Sequence, residues 1–490
     1  MPDLQLRGLT NRGRRAVTLG AALAGVLVLL AAGMLFGPEA PAFNANRAPL
    51  VGRTTTICTM APTLKGEPAE KTEVSAVTIR KAPDRPGLLT GSTLDSKPTG
   101  LKITQQGKGA QQEVTDPIVV AGDGAMATTS SAVIVGDVDK GQDAGLKAAP
   151  CLAPATLHWF SGLGATDDDG TNLILTNPDD AQAQVDLRLY GPTGRMAAQG
   201  GAGLVIRAHE FLPVSLRNLV QADGPVSVAV QATQGRVTAV AKRTQLDKTK
   251  PAGVDWQIPS ASPSPVVVIP GIPADAARRQ LVVTNPSNSR ATVGVQVLGF
   301  QGAYEPSGAN SLDVPPESTA TVNLPDALVG EAASIKLSSD VPVTGAIIST
   351  SDPRGTVPDI AVQSAAVPLI GTGVSALATS DIANTHSELV VSNAGEADAQ
   401  VSFEVFSYAG VRLRTADMVL GANTTASRRL TSPAPSYVVV KAPDGSSVFG
   451  NVVLTQPGRR EVAGLATIPL GSLDLASRAP ATRPDYSVGR

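Results

Sequence analysis

A fixed interval of 108 residues relates three stretches of this 490-residue chain, and it restricts the fold more than any other feature. Asn177, Asn285 and Asn393 stand one interval apart, as do Leu173, Leu281 and Leu389, then Val185, Val293 and Val401, and then Gly194, Gly302 and Gly410. A register kept over so many positions without a gap marks duplicated structural units rather than biased composition. Within the copies apolar residues alternate with polar ones: Val185, Leu187 and Leu189, then Val293, Val295 and Val297, then Val401, Phe403 and Val405. Period two places them on one face of a strand and sends the intervening residues, such as Asp186 and Arg188, to water. Asn177, Asn285 and Asn393 each end a strand, in a turn where Asn can bond its own backbone two residues on. Gly194, Gly302 and Gly410 supply the next turn.

Further short apolar runs follow in every copy, for example 226–232 and 237–242, 318–324 and 343–348, and 424–430 and 448–454. About six or seven strands per copy, with turn signals every 8 to 12 residues, fit an immunoglobulin-like sandwich. The predicted fold is therefore all-β: tandem immunoglobulin-like β-sandwich repeats of about 108 residues, with no sign of a βαβ rhythm. Copies close at Pro150, Pro259, Pro368 and Pro469, which divides the chain into repeats at 151–258, 259–367 and 368–477. A divergent first β domain is expected over 38–150, because Val77-Thr78-Ile79-Arg80 matches Val185-Asp186-Leu187-Arg188 one interval earlier. Four sandwiches in a row read as a rod, followed by a flexible tail at 478–490.

Ahead of these modules the chain runs from Ala16 to Phe36 without a charge, enough for a helix of about 31 Å, the hydrocarbon thickness of a bilayer. Arg7, Arg12, Arg14 and Arg15 precede it and few charges follow, so residues 1–15 are expected in the cytoplasm, 16–37 in the membrane as a transmembrane helix or signal anchor, and the rest outside. A cleaved signal peptide is the rival, since Ala40-Pro41-Ala42 offers small residues at a peptidase spacing. Both readings place Cys58 and Cys151 in an oxidising compartment, where a disulfide is favoured over two free thiols.

Chemistry-bearing motifs are sparse. Lys+Arg 40 against Asp+Glu 42 removes any electrostatic case for nucleic acid binding. Gly122-Asp123-Gly124-Ala125-Met126-Ala127 after an apolar run mimics a dinucleotide fingerprint, but that motif works only where a helix follows, and 128–135 is strand-forming. Asp167-Asp168-Asp169 lacks the alternating pattern of a calcium loop and reads as a solvated acid cluster. His158, His209 and His386 fall in different copies, away from metal-ligand spacing. Trp159 is expected in the core near the disulfide, rather than as a sugar-stacking platform. No catalytic, cofactor-binding or metal residue is assigned, and no cofactor is expected.

The basic segment and anchor, the Cys58 and Cys151 pair, the Cys151-to-Trp159-Phe160-Ser161-Gly162 segment and the Thr-Asn-Pro turns resemble an uncharacterised family of actinobacterial extracytoplasmic proteins, a domain of unknown function. The resemblance covers most of the chain from Cys58 to about Leu470 and carries no catalytic residue with it. The expected role is a non-enzymatic, membrane-anchored scaffold or interaction protein of the cell envelope. It would meet the cytoplasmic membrane through its N-terminal helix and an envelope protein or glycan through its modules. A surface adhesin or glycan-binding protein, and an envelope enzyme with an unrecognised site, are the alternatives.

Overall fold

The computed structural model describes residues 51–475 apart from 61–70, 82–84, 275, 325–327, 329, 352–356, 378–384, 433–434, 457–461 and 474. The expected anchor at 16–37 and the tail at 478–490 lie outside the described residues. Among the described residues no helix is long and apolar enough to cross a membrane. The described chain is all-β and every pairing between its named strands is antiparallel. Its helical elements include short three-residue 3₁₀ turns at Ala125–Ala127 and Leu216–Asn218. The glycine motif at 122–127 is thus the end of strand Ile118–Gly124 and one such turn, leading straight into strand Ser130–Val138.

Strands 53–150 make two four-stranded sheets, strands 157–257 make a four- and a five-stranded sheet, and strands 372–473 do the same. Between the last two lies an eight-stranded sheet built on one long strand, Ala333–Ser351. The first half of that strand pairs with Ala291–Gly299 and its second half with Ala276–Asn285, so it passes from one layer of its module into the other. Each module thereby has an inner layer with one recurring order. It is Gly109–Glu113, Lys71–Thr78, Ser130–Val138, Gly145–Pro150 in the first module, and Glu210–Ser215, Asp169–Asn177, Thr238–Asp247, Lys250–Gln257 in the second. The third module uses Ser318–Asn323, Ala276–Asn285, Ala333–Ser351 and Ile360–Ser364, and the fourth Thr424–Leu430, His386–Asn393, Val448–Thr455 and Leu465–Pro469.

Residues 50–477 form one compact unit, which corrects the expectation of a rod. The last strands of the four inner layers pack in a cycle: Gly145–Pro150 on Lys250–Gln257, that on Ile360–Ser364, that on Leu465–Pro469, and that back on Gly145–Pro150. Apolar clusters follow the same path. Cys58, Cys151 and Ile134 share a core with Val240 and Trp256, while Val77 and Leu146 share one with Val374 and Ile468. Ala361 packs with Val390, Val453 and Leu465.

The cycle explains a departure from the alternating pattern. Strand Lys71–Thr78 is buried on both faces beyond its first residue, and Thr176, Thr284 and Ser392 are buried although the periodicity sends them toward water. The hydroxyls of Thr284 and Ser392 bridge modules: Thr284 is 2.7 Å from Ser161 and 2.7 Å from Ser227, and Ser392 is 2.5 Å from Ser334 and, within its own module, 3.0 Å from Thr425. Small hydroxyl residues let two sheets approach closely while satisfying one another, where a charged residue would have had to be desolvated.

Candidate functional site at the module axis

Each closing strand pairs on one side only, with Ser130–Val138, Thr238–Asp247, Ala333–Ser351 or Val448–Thr455. Its other edge carries unpaired backbone N–H groups, and the cycle of modules buries all four edges together. Buried N–H groups without acceptors would cost about 1–3 kcal/mol each. Two aspartates supply the acceptors. Asp359, fully buried, receives the N–H of Leu146 at 2.8 Å and of Leu465 at 3.0 Å on Oδ2, and of Val254 at 3.0 Å and of its neighbour Ile360 at 2.9 Å on Oδ1. One carboxylate thus binds a backbone N–H from each of the four closing strands, one from each module.

Glycine makes the space. Gly145, Gly253 and Gly464 precede Leu146, Val254 and Leu465, and Asp359 stands in the same place before Ile360. A Cβ on Gly145 would lie 2.6 Å from the Asp359 carboxylate, and one on Gly253 would lie 2.6 Å from the Ile360 nitrogen. In one module of four the side chain grows into the axis; the other three leave room for it.

Two residues further along these edges lies a second carboxylate. Asp255, 1% exposed, accepts from Val362 at 2.7 Å and from Trp256 at 2.8 Å, with the Ala148 backbone also bonded to it. Burial pushes the Asp359 carboxyl up to about 7 against the pull of its four N–H donors. Burial likewise drives Asp255 well above the ordinary carboxylate range, and the Asp359 charge adds to the rise. Lys147, itself fully buried, sits 5.6 Å from the Trp256 ring centroid.

Beyond Asp255 the strand ends open into a cavity of about 350 Å³, lined by Cys151, Trp256, Gln363, Asn451, Pro469 and neighbours from all four modules. None of its lining residues is charged. Three polar atoms of lining residues have no hydrogen-bond partner among the described residues: Trp256 Nε1, Gln363 Nε2 and Asn451 Oδ1. Their side chains are 2%, 1% and 4% exposed. At one side of the cavity Val367, 66% exposed, sits in the connection between the third and fourth modules.

The residues singled out from sequence lie elsewhere. Cys58 and Cys151 form the disulfide, and the tryptophan that shares their cluster is Trp256. Trp159 instead packs on Tyr190, ring centroids 5.8 Å apart, so the expectation placing it beside the disulfide is corrected. Asn177, Asn285 and Asn393 make one bonding pattern three times. Each Nδ2 donates to three carbonyls, those of Ser289, Val314 and Pro315 in the case of Asn285, and each Oδ1 accepts the N–H two residues on. Gly194, Gly302 and Gly410 all have positive φ.

The acid cluster is not simply solvated: Asp169 holds the buried guanidinium of Arg243, and Asp167 pairs with Arg217 at 3.0 Å. His158 is buried and bonded to the Val237 carbonyl, and His386 contacts Arg429. His209 bonds Asp180 at 2.9 Å and lines an open cleft of about 520 Å³ with Asp95, Asp116 and Glu210. Among the described residues no group of His, Cys, Asp and Glu could hold a metal ion.

Residues 103–431 match the profile of a family of unknown function, DUF5719. The chain belongs to this family. Its matched region starts within the first module and ends in the fourth, so three of the closing strands and both axial aspartates fall inside it. No curated protein matches the chain significantly. Sequence reasoning missed the axis. The signal available was the recurrence of Ala144-Gly145-Leu146, Ala252-Gly253-Val254 and Ala463-Gly464-Leu465, broken once by Pro358-Asp359-Ile360.

Proposed function

We propose that this protein is a non-enzymatic interaction protein of the bacterial cell envelope, held at the membrane through 16–37 and outside the cell from there on. Its modules are read as immunoglobulin-like sandwiches whose cycle builds one binding site at the axis. The observation that carries the reading is the uncharged cavity to which all four modules contribute. The two carboxylates on the axis have their oxygens committed to backbone N–H groups and are sealed from solvent, so they serve assembly rather than proton transfer to a substrate.

Cross-linking and proximity labelling of the full chain in its native cell tests this. Recurrent recovery of a few envelope proteins, through contacts that map to the cavity rim, supports it. Recovery of a cleaved, free protein without partners sinks both the anchor and the interaction role.

A second reading, an envelope enzyme, has one observation in its favour: His209 and three carboxylates line the cleft between the first two modules. A hydrolytic activity that His209→Gln abolishes while leaving thermal stability intact would promote it over the first.

A further inference from the structure

The fourth module departs from the second and third at one edge. Its outer layer ends in strand Arg412–Leu420, which pairs with Ala399–Ser407 alone among the described residues. The equivalent edges are cut into short pieces, Gly194–Met196 and Leu204–Ile206 in the second module, Gly302–Tyr304 and Ser311–Val314 in the third. Here the edge is one strand of nine residues, and its register shifts only near its start, opposite Val405 and Phe406. Proteins break or bend exposed edges because their unpaired N–H and C=O groups template another strand. An unbroken edge beside two broken counterparts is a surface for an extended backbone.

Charge says which backbone. Ala416 and Met418 pack on the core, so the core-facing side of this edge also carries Arg414, whose guanidinium lies 5.6 Å from the Phe403 ring centroid. Arg414 bonds the Arg429 carbonyl at 3.2 Å and so crosses to the edge of the other layer. There Arg428 stands opposite Leu389, where the equivalent strands place Val214 opposite Leu173 and Val322 opposite Leu281. Both valines pack on their cores, and the connections that follow, 216–225 and 324–332, add Val220 and Leu328 to the same cores. The fourth copy has only 431–435 at that place. Its open side thus holds two guanidiniums where its counterparts hold aliphatic side chains. Neither meets a carboxylate among the described residues: Arg428 bonds the Ser427 carbonyl at 2.8 Å, while Arg412 is paired with Glu404 at 3.1 Å.

A strand added to this edge would send alternate side chains to its two faces. On the core side they meet Arg414 and Arg428, and guanidinium groups select carboxylates by paired, charge-assisted hydrogen bonds. On the other face lie Thr415, Asp417 and Val419, the last 60% exposed, where an acid would be repelled and an apolar residue accepted. A second copy of the edge brings two arginines and one aspartate, and therefore no surplus of carboxylates to answer the arginines.

We infer that the Arg412–Leu420 edge takes an extended segment of a partner protein, alternating acidic and apolar residues, as an added strand with its carboxylates on Arg414 and Arg428. The surface shares no residue with the axial cavity, so it goes beyond the role proposed above.

The probe is a fluorescein-labelled heptapeptide alternating glutamate and valine, blocked at its C-terminus, with a lysine–valine peptide as counterpart. Anisotropy is read as the full chain is added. A saturable rise is expected with the glutamate peptide and none with the lysine one. Both arginines are exposed, so Arg414→Gln and Arg428→Gln should leave the thermal melt in place. Each should weaken binding by about tenfold, the factor one lost charge-assisted hydrogen bond carries. Arg290→Gln, at an exposed arginine of the third module, should leave it unchanged. A strand bonded along one edge uses every second N–H. Of two glutamate peptides N-methylated at alternate residues, in the two possible phases, one should therefore bind and the other fail.

No saturable response, equal binding of the lysine peptide, an equal loss in Arg290→Gln, or equal results for the two N-methylated peptides overturns the inference. Displacement by tripolyphosphate with both N-methylated peptides equally active would mean an anion site without strand addition. A dimer in sedimentation that excludes the peptide would give the edge to a second copy instead.

Discussion

The carboxylate of Asp359 accepts the N–H of Leu146 at 2.8 Å across 213 residues of sequence, joining the third module to the first. The same side chain takes the N–H of Val254 and Leu465 from the second and fourth. All four acceptor positions of an ionised carboxylate are thereby filled, and none is left for a donor on the side chain itself.

Asp359→Asn should therefore be strongly destabilising despite its near-identical shape. The amide turns one oxygen into an NH₂ that faces N–H groups, and two of the four donations are lost. The expected cost above pH 7, where the carboxyl is ionised, is about 2–6 kcal/mol, from two buried N–H groups left without acceptors. Urea titration of the full chain reads it as a lowered midpoint.

The same group sets a pH dependence. Its folded pKa is raised to about 7 from the ordinary 3.8, so the folded state binds the proton more tightly than the unfolded chain. Its contribution to stability is then fully present below 3.8, falls as pH rises between 3.8 and about 7, and is flat above that. Asp255 is shifted the same way and deepens the fall, with Lys147 as the nearest buried cation on the Trp256 side. Asp143 works in the opposite sense at lower pH: burial raises its carboxyl, but Lys242 and Lys147 hold it below the ordinary value. Denaturation midpoints from pH 4 to 8 should decline across that window in the native protein. A decline of the same size in Asp359→Asn would remove Asp359 as its source.

Glycines on the axis and glycines in hairpins should respond differently to alanine. Gly253 has φ +127 and its added Cβ would meet Ile360 N at 2.6 Å, so Gly253→Ala carries both strain and a backbone clash, about 2–4 kcal/mol together. Gly194 has φ +130 with nothing within 4 Å, which leaves strain alone, about 1 kcal/mol. Equal losses in thermal melts of the two variants would mean that the modules are not pressed together at Gly253.

Reducing the Cys58–Cys151 bond, or changing both residues to Ser, should cost about 4–5 kcal/mol, the chain-entropy value for its 93-residue separation. Because Trp256 of the second module shares that cluster, its fluorescence should change on reduction. An unchanged Trp256 signal in the Trp159→Phe background would show that the first two modules do not communicate there.

What could be read from the sequence, and what could not, divides along a physical line. Alternation at Val185, Leu187 and Leu189 tells which face of a strand is covered, because side chains carry that information. The all-β class and the antiparallel layering followed from it. The covering of Thr284 and Ser392 was not legible, since a small hydroxyl is equally at home in water or against another hydroxyl. Nor was the axis, because strand edges are made of backbone and leave no hydropathy pattern. Gln363 and Asn451 read as ordinary polar strand residues, and only the convergence of the modules places them on one cavity.

Tandem repeats that contact only their neighbours can gain or lose a copy during evolution with little penalty, because each added unit finds the same interface. Here the copies are counted. One of them carries the aspartate where the others carry glycine, and that single side chain finds a donor in every copy. A fifth module would have no place at the axis, and a chain of three would leave a carboxylate oxygen without one of its donors. Repeat number in this protein is thus fixed by stoichiometry, as in a closed oligomer whose subunits happen to share one backbone.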